Sequence, residues 1–293
     1  LVLPIFEGTE RAPNNSLNGL GRVQRSLVRE ALLSDDFDGK IGKVMTVWTP
    51  SCNIILVGMG GRDDLGHKKA RNTGAKVIAS MKKEKGLEIT VRFTSGWTSK
   101  RMVDFAEGMM LRDYEFLEHQ EIKDNHVTDS WKVCFQASPR HQGHLEMGLK
   151  RVNSIVGGVH IARNLGNEPA NVLYPMEFAR RAIEWAENRS NVHVEVYDWE
   201  RLLELGMGGL VNVGKGSERK PCMVLFTINP DSDEGVRRPC IVGKGITFDT
   251  GGISIKPSNG MWDMKYDMCG AATVFGLMEA LHSSGYENRV NGI

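Results

Sequence analysis

The residue types best suited to chemistry are concentrated in one stretch of the sequence, residues 241–273. Lys244 follows an apolar run that is predicted to be a buried strand, and Asp249 comes five positions later, before a Thr-Gly-Gly turn. Lys256 and Asp267 follow, and then a helix of small residues. Lysine and aspartate are costly to bury unless they are paired or bind a metal ion. Because α/β folds place polar sites at the ends of sheet strands, these four residues are predicted to share one site.

The same side chains suit a metal site. Carboxylate oxygens bind hard or borderline divalent cations, and two such ions can share one bridging carboxylate. A lysine amine can also bind a metal ion when burial and nearby cations lower its pKa until it is neutral. A second lysine that stays charged could stabilise an oxyanion. On chemistry alone, a structural salt-bridge cluster explains these residues equally well.

Composition excludes several other classes of protein. The 293 residues include 37 Lys+Arg and 36 Asp+Glu, so a net charge of +1 provides no basic field for nucleic acid or a membrane surface. No apolar run reaches the roughly 18 residues that a membrane-spanning helix needs. A short basic run, Lys82, Lys83 and Lys85, is explained by its place at the end of a predicted helix, where the helix dipole favours cations. A nucleic-acid partner is therefore not expected.

Cysteines and histidines form no recognised metal or redox motif. The five cysteines are far apart and make no C-x-x-C pair, which predicts free core thiols in a reducing compartment. His141 and His144 are the only close histidine pair, precede a predicted helix and are interpreted as surface residues. The cysteines are Cys52, Cys134, Cys222, Cys240 and Cys269.

Strands and helices alternate along the first half of the chain. Apolar runs and alternating patterns predict strands, and stretches with apolar residues at helical spacing lie between them. This order indicates an α/β layer with a largely parallel sheet. Gly58-Met59-Gly60 lacks the third glycine of the dinucleotide fingerprint and is interpreted as a tight turn after a strand. The predicted strands are residues 1–6, 44–48, 52–57, 87–93 and 131–135, and the predicted helices are residues 65–83 and 99–113.

A long helix from about His144 to Leu165 is predicted to join two domains. Helices at 176–189 and 198–206 and strands at 192–197, 222–228 and 239–243 follow it, and a last strand begins at Arg289. The expected organisation is an N-terminal α/β domain at 1–143, a linker helix at 144–167 and a second α/β domain at 168–293 that is incomplete at its C-terminal end.

The stretch Gly243 to Thr273 resembles the catalytic core of the leucyl aminopeptidase (cytosol aminopeptidase) family, the two-metal exopeptidases, and is closest to its peptidase B-like branch. The family's G-K-G-(x)2-F-D-(S/T)-G-G, K-P and D-M-(x)-G-A-A elements are all present with the family's spacing. The resemblance covers essentially the whole chain, more weakly over residues 1–140. Further matching motifs are Ala162-Arg163-Asn164-Leu165 with Asn167, Pro169, Asn171 and Pro175; Gly206 to Leu210 with Val213 to Ser217; and Glu107-Gly108 with Tyr114.

The resemblance implies a role for each residue of the site. Lys244 would be a neutral-amine ligand of the more exchangeable metal ion, and Asp249 would bridge both ions. Asp267 would bind the exchangeable ion and meet the α-amino group of the substrate. Lys256 would polarise the scissile carbonyl and stabilise the oxyanion. Met264 falls where the family lines the pocket for the first side chain, and all five positions are implied to contact substrate.

The implied function is that of a metallo-aminopeptidase that removes N-terminal residues from peptides by means of a metal-activated water. The resemblance implies two divalent ions, zinc or manganese with magnesium or cobalt as alternatives, and a bicarbonate in the complete protein. It further implies a cytoplasmic homohexamer with no membrane partner. The alternative is a non-catalytic structural or binding homologue. Cys269 stands where many family members have glycine and is interpreted as a packing residue.

One family element is missing from these residues. The N-T-D-A-E-G-R segment, which supplies an aspartate, a bridging glutamate and an arginine, does not occur in the sequence. The chain is therefore expected to stop before that segment and to be inactive alone. Residues 229–237 resemble it superficially but precede Lys244, and they are interpreted as a solvated hairpin loop between two strands.

Overall fold

The chain in this computed structural model divides into two units, Leu1–Asn153 and Ser154–Ile293. The structure describes residues 1–10, 17–63, 65–81, 88–94, 96–121, 131–232 and 238–293. The predicted basic run at Lys82, Lys83 and Lys85 lies outside these residues, as does the second half of the predicted hairpin loop.

The first unit alternates strands and helices as the sequence predicts. Its elements are β1 (Val2–Ile5), α1 (Arg22–Leu33), β2 (Val44–Val47), β3 (Ile54–Gly58), α2 (His67–Met81), β4 (Glu88–Arg92), α3 (Ser99–Arg112), β5 (Lys132–Gln136) and the start of α4 (Pro139–Asn167). The sheet order is β2-β3-β1-β4-β5. Strand β1 is parallel to β3 and β4, and β4 is parallel to β5, whereas β2 pairs antiparallel with β3. The predicted α/β layer with a largely parallel sheet is confirmed.

Local sequence explains where most of these helices form. On α2 the predicted stripe, including Ala70, Val77 and Met81, is buried against the core. The Thr98 hydroxyl caps α3 by accepting a hydrogen bond from the Arg101 backbone N–H at 3.3 Å. Helix α1 is not among the predicted helices. It begins after a glycine, whose backbone N–H donates to a glutamine side chain within the helix, and so it lacks the usual Ser, Thr or Asp start signal.

The second unit begins within α4 and is organised around a four-stranded sheet. Its further elements are α5 (Pro175–Ala186), β6 (Val192–Tyr197), α6 (Trp199–Glu204), α7 (Gly208–Gly214), β7 (Met223–Ile228), β8 (Cys240–Ile241), a 3-10 segment (Met261–Met268), α8 (Cys269–Ser283) and β9 (Val290–Gly292). The strand order is β6-β7-β9-β8. Strand β7 is antiparallel to both β6 and β9, and β9 is parallel to β8. The unit boundary falls inside α4, while the finer division at 143 and 167 stays a prediction.

Two strand predictions in the second unit are wrong. The apolar run before Lys244 was expected to be a buried strand, but β8 contains only two residues, and Val242 just beyond it is 73% exposed. Among the described residues β8 pairs only with β9, so it is an edge strand with an open face. The loop after β7 is not a hairpin loop, because β9 lies between β7 and β8 in the sheet.

Two side-chain predictions also need correction. The cysteines are free, as predicted, but none is fully buried: Cys134 and Cys240 are exposed, and the other three are half-buried and pack against the core of their unit. Cys134 and Cys240 lie on the edge strands β5 and β8, and both side chains face solvent. His141 lies inside α4 rather than before it, and its Nδ1 is 2.8 Å from the Ser99 hydroxyl. Across the described residues, no helix has the length and hydropathy needed to cross a membrane.

Candidate metal and active site

A close crossing of two glycines brings Lys244 to the start of α8. The Gly243 backbone N–H donates to the Ile293 carbonyl at 2.7 Å, and the Ala271 N–H donates to the Lys244 carbonyl at 2.9 Å. A Cβ on Gly243 would lie 2.4 Å from the Gly270 carbonyl oxygen, and a Cβ on Gly270 would lie 2.7 Å from the Lys244 backbone nitrogen. Such distances exclude any side chain at either position. The two glycines therefore hold the strand end and the helix start in direct backbone contact.

The first charged pair of the site joins Lys244 to Asp267. The Lys244 Nζ atom forms an ion pair and hydrogen bond with Oδ1 of Asp267, and the two side chains are 55% and 22% exposed. The other carboxylate oxygen of Asp267, Oδ2, is buried and accepts no hydrogen bond from any part of the chain that the structure describes. A buried carboxylate oxygen without a donor is unfavourable, so this atom is suited to a ligand.

The second charged pair joins Lys256 to Asp249. Lys256 Nζ lies 2.9 Å from Oδ2 of Asp249, while the Gly251 N–H donates to Oδ1 at 2.8 Å. The Lys256 N–H donates to the Thr250 carbonyl at 2.9 Å, which folds the loop back on itself. Gly251 has a φ of +88°, which glycine adopts without the strain that other residues would incur. The Thr-Gly-Gly turn thus brings the Lys256 side chain next to Asp249.

Lys256 also contacts Met264. Its Nζ atom lies 3.2 Å from the Met264 sulfur, a weak acceptor. The 3-10 segment that carries Met264 also carries Asp267, so this contact connects the second charged pair to the segment of the first.

The two charged pairs influence one another electrostatically. The Lys256 hydrogen bond, followed by the Gly251 N–H, lowers the pKa of the Asp249 carboxyl, and the charge of Lys244 lowers it further. Partial burial raises the pKa of the Cys269 thiol, and the Asp267 charge adds to this effect. Asp249 is therefore ionised at neutral pH, whereas Cys269 is a neutral thiol. These states suit Asp249 to cation binding and agree with a packing role for Cys269.

Asn167 holds the 3-10 segment from the end of α4. Lys265 Nζ donates to the Asn167 backbone carbonyl at 3.0 Å, and the Tyr266 hydroxyl donates to the Asn167 side-chain oxygen at 3.1 Å. Asn167 belongs to a matching motif in the sequence, but no role is predicted for it there. Besides that motif, its position at a helix end, two residues before a proline, is the signal in the sequence that could have drawn attention to it.

Geometry now separates the two explanations that sequence chemistry left equal. A structural salt bridge contributes little when its side chains are exposed, and Lys244 and Lys256 are 55% and 35% exposed. A structural cluster also gives no reason for a buried Asp267 oxygen without a donor. One amine and two carboxylates are a partial donor set for divalent cations. The residues therefore fit a metal site better than a stabilising ion-pair cluster.

Comparison with known sequences gives a consistent result for both halves of the chain. The model of the cytosol aminopeptidase family, catalytic domain, matches residues 160–293, and the model of its N-terminal domain matches residues 2–123. A probable cytosol aminopeptidase from Wolbachia pipientis wMel is 32% identical over 296 residues, covering 100% of this chain and 56% of the relative. A cytosol aminopeptidase from Pseudomonas aeruginosa is 31% identical, covering 96% of this chain and 58% of the relative. The chain thus spans less than two thirds of the length of these curated relatives.

Solved structures of similar fold cover nearly all of the chain. The bottromycin maturation enzyme BotP in complex with Mn has a TM-score of 0.74 and 28% identity, covering 99% of this chain and 57% of that one. A tomato leucine aminopeptidase variant has a TM-score of 0.78 and 24% identity, covering 99% of this chain and 58% of that one. The second likeness shows the fold alone.

Proposed function

Because the chain belongs to the cytosol aminopeptidase family, we propose that it is part of a metal-dependent aminopeptidase that hydrolyses the N-terminal residue of peptides. One observation supports this most directly. Within the region matched by the catalytic-domain family model, Asp267 is paired with Lys244 yet keeps a buried oxygen that no donor of the described residues reaches. Asp249, whose pKa Lys244 helps to lower, lies in the same site.

Lys244, Asp249 and Asp267 are the residues that would hold divalent ions, with Asp249 shared between two of them. Bound divalent ions supply Lewis acidity and a nucleophilic water at neutral pH. We propose zinc or manganese, with magnesium or cobalt as alternatives, and the presence of Mn in BotP supports manganese. Three donors are too few for two ions. The family resemblance assigns the remaining ligands to the N-T-D-A-E-G-R segment, which does not occur in these 293 residues.

Lys256 is suited to hold the oxyanion of the reaction. The Lys256 side chain is 35% exposed, so it is partly desolvated and its charge interacts more strongly with a developing negative charge than it would in water. In the structure it pairs with Asp249 and contacts Met264, which places its charge beside both a proposed metal ligand and a proposed pocket residue. A substrate carbonyl at this position would meet a fixed positive charge.

Asp267 and Met264 are suited to bind the first residue of the substrate. The free Oδ2 atom of Asp267 can accept a hydrogen bond from an α-amino group. Met264 offers a flexible apolar side chain next to Lys256, as a pocket for a varied first side chain requires. The proposal also includes a bicarbonate, a homohexamer and a cytoplasmic location, all of which derive from the family resemblance.

Metal content separates the proposed roles of the two carboxylates. In the full-length protein, dialysed and reloaded with Mn2+, Asp249→Ala should lose both ions and all activity on an aminoacyl anilide. Asp267→Ala should lose mainly one ion and bind substrate more weakly. Asp231→Ala, an exposed aspartate of the same unit, is the matched control and should retain both ions. If both site variants bind metal as the control does, the proposed function is wrong, and equal loss of both ions in both variants contradicts the bridging role.

A further inference from the structure

Asn167 presents two acceptors to the two residues that immediately precede Asp267. Its backbone carbonyl accepts from Lys265 Nζ at 3.0 Å, and its side-chain oxygen accepts from the Tyr266 hydroxyl at 3.1 Å. The Lys265 ammonium also lies 5.1 Å from the centre of the Tyr266 ring, so the two donors support one another. The two residues before Asp267 are therefore both attached, through their side chains, to a residue almost 100 positions earlier in the chain.

Asn167 is itself held in place by its neighbours. The adjacent Glu168 has a fully buried side chain, whose carboxylate pairs with Arg181 at 2.7 Å. Arg181 also pairs with Glu177 at 2.8 Å, so α5 fixes the end of α4. On the other side, a Cβ on Gly166 would come within 3.2 Å of Cys269, which shows how closely the two segments pack.

This anchoring matters because no donor among the described residues holds the Oδ2 atom of Asp267. Oδ1 pairs with Lys244, whose long side chain is 55% exposed and offers little restraint. Oδ2 is buried and has no donor within the part of the chain that the structure describes. The free energy of such a carboxylate falls if Oδ2 turns toward water or a donor. A backbone that is held in place limits this movement. Metal ligands must be held within about 0.5 Å of their working geometry by the residues around them.

We infer that Asn167 is a positioning residue, which acts through Lys265 and Tyr266 to keep Asp267 aligned for a divalent cation. The inference rests on the proposed function, since it concerns the same site. Loss of residues that orient metal ligands typically lowers metal affinity about 10–100-fold. Removal of the Lys265 ammonium and the Tyr266 hydroxyl should therefore lower the metal affinity without unfolding the unit.

The test measures Mn2+ affinity of the full-length protein by titration calorimetry, together with thermal unfolding of the metal-free form. The Lys265→Met/Tyr266→Phe double variant should bind Mn2+ about 10–100-fold more weakly, and Tyr266→Phe alone should show a smaller loss. Tyr266 is 42% exposed and Tyr286 is 36% exposed, so Tyr286→Phe in the same unit is a matched control with wild-type affinity expected. Asn167→Ala should resemble Tyr266→Phe, because it removes the same hydrogen bond from its other end.

The outcomes are distinguishable. Wild-type Mn2+ affinity in the double variant would overturn the positioning role. A loss of affinity together with a large fall in the unfolding temperature of the metal-free form would also overturn it, because that result indicates a merely structural role. Asp267→Ala serves as the reference for the proposed function. If that variant binds Mn2+ as well as the wild type, the metal site itself is wrong. If only Asp267→Ala loses affinity, the site stands and the inference about Asn167 fails.

Discussion

Gly243→Ala tests whether the backbone crossing beside Lys244 sets the geometry of the site. The added Cβ would lie 2.4 Å from the Gly270 carbonyl oxygen and 2.7 Å from the Ala271 nitrogen. Both obstacles are backbone atoms at the start of α8, so no side-chain rotation relieves the clash. Either the loop that carries Lys244 moves or the start of α8 moves.

The size of that movement follows from the contact distances. Lengthening a 2.4 Å contact to the ordinary value of 3.4 Å requires a displacement of about 1 Å. Overpacking of this kind costs about 1–3 kcal/mol of unfolding free energy, which lowers the unfolding midpoint by roughly 2–12 °C. The displacement also exceeds the tolerance of about 0.5 Å for a metal ligand, and Lys244 is the next residue. Mn2+ affinity should therefore fall at least about 10-fold.

Two measurements on the full-length protein check this reasoning: thermal unfolding of the metal-free form and Mn2+ titration. Gly209→Ala is the matched control, because a Cβ there meets nothing within 4 Å and the residue lies in α7. That control should keep wild-type affinity and an equal or slightly higher midpoint, since alanine is a better helix former. A Gly243→Ala variant that matches the Gly209→Ala variant in both measurements would refute the claim that this crossing positions Lys244.

Three further substitutions address single interactions. Lys256→Ala in the full-length protein should lower kcat about 100–1000-fold while retaining most of the bound metal, as measured by steady-state kinetics and metal analysis. Near-normal kcat with loss of the metal would contradict the oxyanion role. The Arg180 hydrogen bond lowers the pKa of Glu177 from 4.5 to about 2, so its stabilisation is complete above pH 4.5 and is lost as the pH falls toward 2. Glu177→Gln should therefore flatten the acid side of a stability curve measured by urea unfolding between pH 5 and pH 2, and an unchanged curve would contradict this. Glu168→Gln removes the negative charge of the buried pair with Arg181 and should cost about 3 kcal/mol in denaturant unfolding, whereas a loss below about 0.5 kcal/mol would mean that this charge is dispensable.

Most of the fold could be predicted from the sequence because its elements have clear periodicity. The buried stripe of α2 and the alternating pattern of β5 are visible in the sequence and reappear in the structure. Helix α7 could not be predicted, since it begins with two glycines, the least favourable residues for a helix apart from proline. The exposed state of β8 could not be predicted either. An apolar run has the same composition in the middle of a sheet and at its edge, and only strand order separates the two.

The residues of the site could be predicted from the sequence, but the contacts between their side chains could not. The costly burial of lysine and aspartate beside glycine turns drew attention to Lys244, Asp249, Lys256 and Asp267, and the structure joins them as two charged pairs. Which lysine pairs with which aspartate could not be read from spacing. Lys244 pairs with the more distant aspartate, across the backbone crossing of Gly243 and Gly270. The anchor at Asn167 lies almost 100 residues before its partners, and no local pattern reports a contact of that kind.

The two aspartates are not equivalent, and the difference bears on how Lys256 becomes available. Both oxygens of Asp249 are satisfied by its own loop, one by the Gly251 N–H and one by the Lys256 ammonium. Cation binding by Asp249 therefore competes with its pair to Lys256, while the buried Oδ2 of Asp267 is free of any such competition in the part of the chain that the structure describes. A carboxylate that shares its charge with a cation holds an ammonium less strongly. The proposed roles would thus be linked: engagement of Asp249 as a ligand would free the charge of Lys256 for an oxyanion, at the place where the Thr-Gly-Gly turn already holds it.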